Sequence, residues 1–215
     1  MLGLTPQAPA PCLYLMTKRN LIRWFIKEVH WATPRNVAYF IEGRCTDKIL
    51  SAYASELCEM QREKDSALRL KRIKNQDGKY AYTMTAKSLP TFLFNHDVCL
   101  RDVIGKFLCG RGLPEVSFEH PADASIFQYR FELDNGHMDA KQLEKKLRNH
   151  YAEISGQVIF FMRHREHPRL EERRLKKLFD VSERVFPGQP NKVLGACYTQ
   201  CLENGIVFNR KRQAK

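Results

Sequence analysis

The sequence predicts an α+β chain in which a small helical unit closed by a hairpin precedes a mixed α/β sheet domain. Three observations predict it. Cap-and-stripe helix patterns open at Thr17, Thr33-Pro34 and Thr46-Asp47, and a hairpin turn signal sits at Asp77-Gly78. From Glu115 onwards, short apolar runs alternate with charged helical stretches.

Thr17 caps a first helix whose positions Leu21, Ile22, Trp24, Phe25, Ile26 and Val29 form a broad apolar stripe. Thr33, with Pro34 at the first helical position, opens a second helix through Val37, Phe40 and Ile41 that stops at Gly43. Thr46-Asp47 opens a third, with Ile49, Leu50, Tyr53, Ala54 and Leu57 at helical spacing. Two short helices, a glycine turn and a third helix make a helix-turn-helix. The β-prone runs 67–73 and 79–85 then flank Asn75-Gln76-Asp77-Gly78, and Asp-Gly suits the positive φ of a tight turn. A basic hairpin straight after the third helix is the wing of a winged helix-turn-helix, expected over residues 17–90. That geometry puts the third helix, with Lys48 and Ser51, into the major groove of double-stranded DNA. Lys71, Arg72, Lys74 and Lys79 then reach phosphates. Packing or dimerisation is the other use of such a fold, and the charge of this chain favours DNA.

The 215 residues carry 36 Lys+Arg against 24 Asp+Glu, a formal net charge of +12. The basic residues cluster in 71–74, 163–177 and 210–212, a surface whose natural partner is a polyanion. No apolar run is long enough to span a bilayer, which argues against membrane insertion. Residues 1–16 lack a signal-peptide pattern and read as a flexible leader, and 210–215 as a basic tail. Seven cysteines without regular spacing read as reduced, small apolar residues of a cytoplasmic protein.

The second domain is expected over residues 91–209. Val98, Val103, Ile104 and Phe107 make an amphipathic helix, followed by a strand over 115–119. A helix over 139–154 carries Lys141, Lys145 and Lys146, with Leu143, Leu147 and Tyr151 inward. Val158 to Met162 suits a buried strand, 169–186 a basic helix, and 192–197 and 205–208 late strands.

The chemistry concentrates between these elements, in residues 120–136. A hairpin turning at Phe127-Gln128 pairs Ile126 with Tyr129, Ser125 with Arg130, Ala124 with Phe131 and Asp123 with Glu132. Side chains alternate along a strand, so Asp134 joins that face two positions on. Three carboxylates so close repel unless a divalent cation neutralises them, and oxygen-only donors suit Mg²⁺ or Mn²⁺. The same alternation with Phe131 and Leu133 also fits an ordinary strand with a solvated face. Arg163, Arg165, Arg173 and Arg174 are expected to track a DNA backbone. His164 and His167 lack the spacing of metal ligands on one helical face.

His96-Asp97-Val98, Pro121-x-Asp123, Glu132-Leu133-Asp134-x-Gly136 and the Lys146-to-Tyr151 helix resemble the replication-relaxation family and the plasmid mobilisation relaxases of the MobC type. The resemblance implies a winged helix followed by a restriction-endonuclease-like domain of the PD-(D/E)xK group. It implies metal ligands at Asp123, Glu132 and Asp134, with Asp134 where a lysine is usual. A lysine from the following helix, Lys146 or Lys145, completes the site, with His96 and His137 as auxiliary groups. It further implies site-specific nicking of a plasmid origin of transfer or similar DNA in a bacterial cytoplasm, alongside accessory mobilisation proteins. Two departures stand out: Phe-Gln is poor turn chemistry, and His137 stands where the resembling proteins tend to have Thr. The alternative is a non-catalytic winged-helix regulator of plasmid replication or transfer with a degenerate nuclease domain.

Overall fold

The computed structural model describes residues 16–85, 89–90, 94–119, 121–164 and 167–206. The expected leader and basic tail lie outside the described residues, apart from Met16. N-terminal helices precede a mixed five-stranded sheet, and the chain divides into two compact units between Leu113 and Pro114.

The first unit begins with α1 (Lys18–Glu28), α2 (Pro34–Glu42) and α3 (Asp47–Gln61). The expected threonines cap them: Oγ1 of Thr17, Thr33 and Thr46 accepts the backbone N–H of Asn20, Asn36 and Ile49, each at 3.3 Å. Gly43 ends α2 at φ 64°, a left-handed conformation that glycine adopts without strain. Strands β1 (Lys71–Lys74) and β2 (Tyr80–Thr83) form the expected antiparallel hairpin. Ala32, between α1 and α2, exchanges two 2.9 Å backbone hydrogen bonds with Tyr82, which ties the hairpin to the helices.

One expectation needs correcting here. The helix assigned to the second domain, α4 (Phe94–Leu108), belongs to the first unit and packs on α2. Asn36 donates to the Val98 carbonyl at 2.9 Å and to Asp102 Oδ1 at 2.8 Å. A Cβ on Gly105 would stand 2.9 Å from the Asn36 carbonyl oxygen, so only glycine permits this approach. Buried Arg101 donates to the carbonyls of Val29, Trp31 and Asp97 and lies 3.8 Å over the Trp31 ring.

The second unit is a sheet in the order β3 (Val116–Ser117), β4 (Ala124–Ile126), β5 (Tyr129–Asp134), β6 (Gln157–Met162), β7 (Val193–Cys197). The first three strands run antiparallel; β6 and β7 follow parallel to β5. Between them lie α5 (Ala140–Lys146), continued by a π-turn over Leu147–Tyr151, and α6 (Arg169–Val185). Their Leu143, Leu147, Tyr151, Leu175, Leu178 and Val181 pack with Val158, Phe160, Met162 and Val193 of the sheet. A Cβ on Gly195 of β7 would meet Leu175 Cδ1 at 2.3 Å, so α6 sits directly on the strand.

Three local expectations change. The first strand shrinks to two residues, and the helix expected over 139–154 leaves α geometry after Lys146. After β7 comes α7 (Tyr198–Asn204); Gly205 and Ile206 carry no strand, and the rest of that expected strand lies outside the described residues. Among the described residues, no helix is long and apolar enough to cross a membrane.

Candidate functional site

The acidic hairpin has the expected register. Ala124 pairs with Phe131, Ser125 with Arg130 and Ile126 with Tyr129. The paired register ends at Ala124: the Asp123 N–H donates to the Phe131 carbonyl at 3.1 Å, and the charge of Asp123 acts on the Glu132 carboxyl. Asp123 Oδ2 in turn accepts the Leu133 N–H at 2.8 Å.

Glu132 and Asp134 are not on a solvated face. In the parallel register Glu132 pairs with Phe160 and Asp134 with Met162, so both share the face packed by α5 and α6. Phe131 and Leu133, on the opposite face, are buried too, and Glu132 is only 1% exposed. A carboxylate this dry demands partners. Lys146 Nζ pairs with Glu132 Oε2, and the Tyr151 phenol donates to Oε1. The same phenol also reaches the Pro121 carbonyl at 3.3 Å. The π-turn carries Tyr151 within the same helical stretch as Lys146, and such turns recur at functional sites.

Burial, and then the charge of Asp123, push the Glu132 carboxyl up to about 7, against the opposing pull of Lys146 and Tyr151. Burial first, then Glu132, push the Tyr151 phenol upward, so it stays a hydrogen-bond donor.

Asp134 takes a different course. Its Oδ2 accepts from Arg174 Nε at 3.1 Å and pairs with the same guanidinium's terminal nitrogen, while Oδ1 accepts the Gly136 N–H at 2.9 Å. Arg174 also holds the carbonyls of Gly136 at 3.0 Å and Met138 at 3.1 Å. The expected third carboxylate is therefore drawn into an ion pair. Among the described residues, no group of three or more His, Cys, Asp and Glu side chains is placed to hold a metal ion. Arg174, expected on DNA, pairs with Asp134.

The remaining expected site residues scatter. Lys145 is exposed on α5, and His137 is exposed ahead of it. His96 lies in the first unit at the start of α4, 3.3 Å from Asp97. Lys48 and Ser51 are exposed on α3, and Lys71, Arg72, Lys74 and Lys79 are exposed on the hairpin. Arg173 is exposed on α6; half-buried Arg163 donates to Asn135 Oδ1 at 3.1 Å; Arg165 lies outside the described residues.

Sequence reasoning missed Glu171. It is buried at the start of a basic helix and accepts from Thr199 N–H and Oγ1, each at 3.0 Å, and from the His164 N–H at 3.2 Å. Burial raises its carboxyl above the usual range. An acidic residue in the first turn of a charged helix carries no sequence signal of such burial.

In comparisons with protein-family models, curated proteins and solved structures, the chain matches none.

Proposed function

We propose that the chain is a double-stranded-DNA-binding protein that nicks its target at a metal-dependent site built from Asp123, Glu132 and Lys146. One observation carries this reading: a buried glutamate feels the charge of a second carboxylate, at the entry to the neighbouring strand, while a lysine from the next helix closes on it. That trio has the composition of the PD-(D/E)xK nuclease site, and the hairpin-helix-parallel-strand order supports the same fold reading. The resemblance to replication-relaxation and MobC-type proteins belongs to this proposal, and with it a plasmid target, accessory mobilisation proteins and a bacterial cytoplasm. In the first unit, three capped helices, the basic hairpin and the Ala32–Tyr82 bridge support a winged helix. Its exposed Lys48, Ser51, Lys71, Arg72, Lys74 and Lys79 suit phosphate and groove contacts.

The donor set fits Mg²⁺ or Mn²⁺. Asp123 and Glu132 together outweigh the single charge of Lys146, and burial first, then Asp123, hold the Glu132 carboxyl above its usual range. Asp123 and Glu132 would hold the ion, which supplies a Lewis acid for the phosphate and an acidic bound water. Asp134 is not part of this revised set. Lys146 brings a positive charge to the place where charge builds on phosphate oxygens, and Tyr151 fixes the Glu132 carboxylate from its other side.

A second reading rests on its own observation. Both Glu132 oxygens already have protein partners, which suits a retired nuclease fold in a non-catalytic DNA-binding regulator. Incubation of supercoiled plasmid with Mg²⁺ or Mn²⁺ separates the two, comparing wild type with Glu132→Gln. Open circles from wild type alone support the nicking reading. DNA binding by both proteins without open circles in either metal leaves the regulator.

A further inference from the structure

The geometry points to a subsite for one unpaired nucleobase beside the acidic hairpin, a refinement that rests on the DNA reading above. A cleft of about 640 Å³ lies on the second unit. Its floor is set by strand register: Ser117 pairs with Ser125, and Ser125 with Arg130, so three polar side chains stand side by side across β3, β4 and β5. Arg130 shares a strand face with Glu132 one alternation away, roughly 7 Å along the strand. Arg130 also acts electrostatically on the Tyr151 phenol, and Pro121, whose carbonyl that phenol reaches, lines the cleft. The cleft therefore opens next to the Asp123–Glu132–Lys146 trio.

Its chemistry favours a base over a phosphate. Glu115 and Glu119 line the cleft with Arg130, so acceptors for exocyclic amines sit with one cationic donor and two hydroxyls. A phosphate would meet two carboxylates there; a cytosine, adenine or guanine edge would meet complementary groups.

Phe127 at the mouth supplies the stacking face. It is 53% exposed and held at φ 54°, two unfavourable placements for a large aromatic residue. The two-residue turn itself requires the positive φ at its first position, and Gly156 (φ 95°) packs against that turn, where a Cβ would stand 2.4 Å from the Gln128 carbonyl oxygen. Phe127 thus presents an accessible ring at the cleft that it lines. Base–aromatic stacking is the contact that an exposed phenyl ring offers to single-stranded DNA.

The test uses the full chain and three fluorescent probes: a blunt duplex, the same duplex with a single-stranded cytosine tail, and that duplex with an abasic tail. Wild type is expected to bind the cytosine tail about 5- to 150-fold more tightly than the blunt end. The abasic tail and the Phe127→Gly variant should both lose that advantage. Glycine takes φ 54° without strain, so the variant folds and keeps wild-type affinity for the blunt duplex. A 2-aminopurine base in the tail reports stacking directly, with an emission change on binding that Phe127→Gly abolishes. A tail advantage that is absent, survives base removal or survives Phe127→Gly overturns the subsite alone. No binding to any of the three probes overturns both the subsite and the DNA reading.

Discussion

Glu132 makes stability fall as pH rises, the reverse of an ordinary surface-paired carboxylate. Its carboxyl moves from 4.5 to about 7 on folding, with burial as the main cause. The folded protein thus holds the proton more tightly than the unfolded chain. The stabilisation is fully present below about pH 4.5 and is lost as pH climbs through about 7. At 1.36 kcal/mol per tenfold change in proton affinity, the loss across that window is about 3 kcal/mol. For a unit of ~100 residues that lowers the melting temperature by roughly 10 °C or more. The perturbation is Glu132→Gln, which keeps the shape and removes the titration. Glu171 is shifted the same way, so wild type also owes part of its slope to that residue. The difference between the two proteins isolates Glu132. Urea unfolding at intervals between about pH 4.5 and 8 should show the wild-type curve falling more steeply, with the gap closing or reversing at high pH. Saturating Mg²⁺ or Mn²⁺ should flatten the wild-type slope, because a cation on Asp123 and Glu132 displaces the proton. Parallel curves for the two proteins without metal would refute the account of Glu132 as a dry carboxyl beside Asp123.

Other predictions rest on individual interactions. Gly195→Ala drives a methyl into Leu175 and within 3.0 Å of Leu178, and should destabilise by about 1–3 kcal/mol in chemical denaturation. Arg174→Met strands a buried Asp134 carboxylate and should cost about 3–5 kcal/mol, much of it recovered in the Asp134→Leu/Arg174→Met double variant. Replacing Lys71, Arg72, Lys74 and Lys79 with Ala should flatten the log–log salt dependence of duplex affinity by about 0.9 for each phosphate left without its cation, with the melting temperature nearly unchanged.

The parts of the fold that were legible in the sequence are those set by local chemistry. Thr17, Thr33 and Thr46 cap their helices because each oxygen satisfies an N–H three residues on. The acidic hairpin was legible from its turn as far as Ala124–Phe131: a two-residue turn fixes the three pairs behind it, even with a phenylalanine forced to positive φ, while the Asp123 N–H goes to the Phe131 carbonyl. What stayed hidden depends on distant partners. Asp134 looked equivalent to Glu132 until Arg174, forty residues further along the chain, closed on it. Asn36 and Gly105 decide that α4 joins the first unit, and neither residue advertises that pairing in its own neighbourhood. The short helix α7 escaped because Cys197 supplies no side-chain cap hydrogen bond and the segment is one of mixed polarity.

The two buried carboxylates of β5 therefore divide between anchoring and exchange, and their cationic partners account for the division. Arg174 gives Asp134 a planar fork and simultaneously holds two backbone carbonyls, so releasing the carboxylate would break several geometric constraints together. Lys146, its side chain a quarter exposed, holds Glu132 through one flexible ammonium that has none of the rigidity of a guanidinium fork. Under the proposed nicking reading, an ammonium of this kind would turn toward a phosphate while a neighbouring phenol keeps Glu132 in place. Charge balance agrees: departure of Lys146 leaves Asp123 and Glu132 facing each other, an arrangement favourable only when a proton or a cation takes its place. The same strand face thus carries an ion pair braced at several points and, one alternation away, one held by a single ammonium, and the proposed nicking chemistry would use the second.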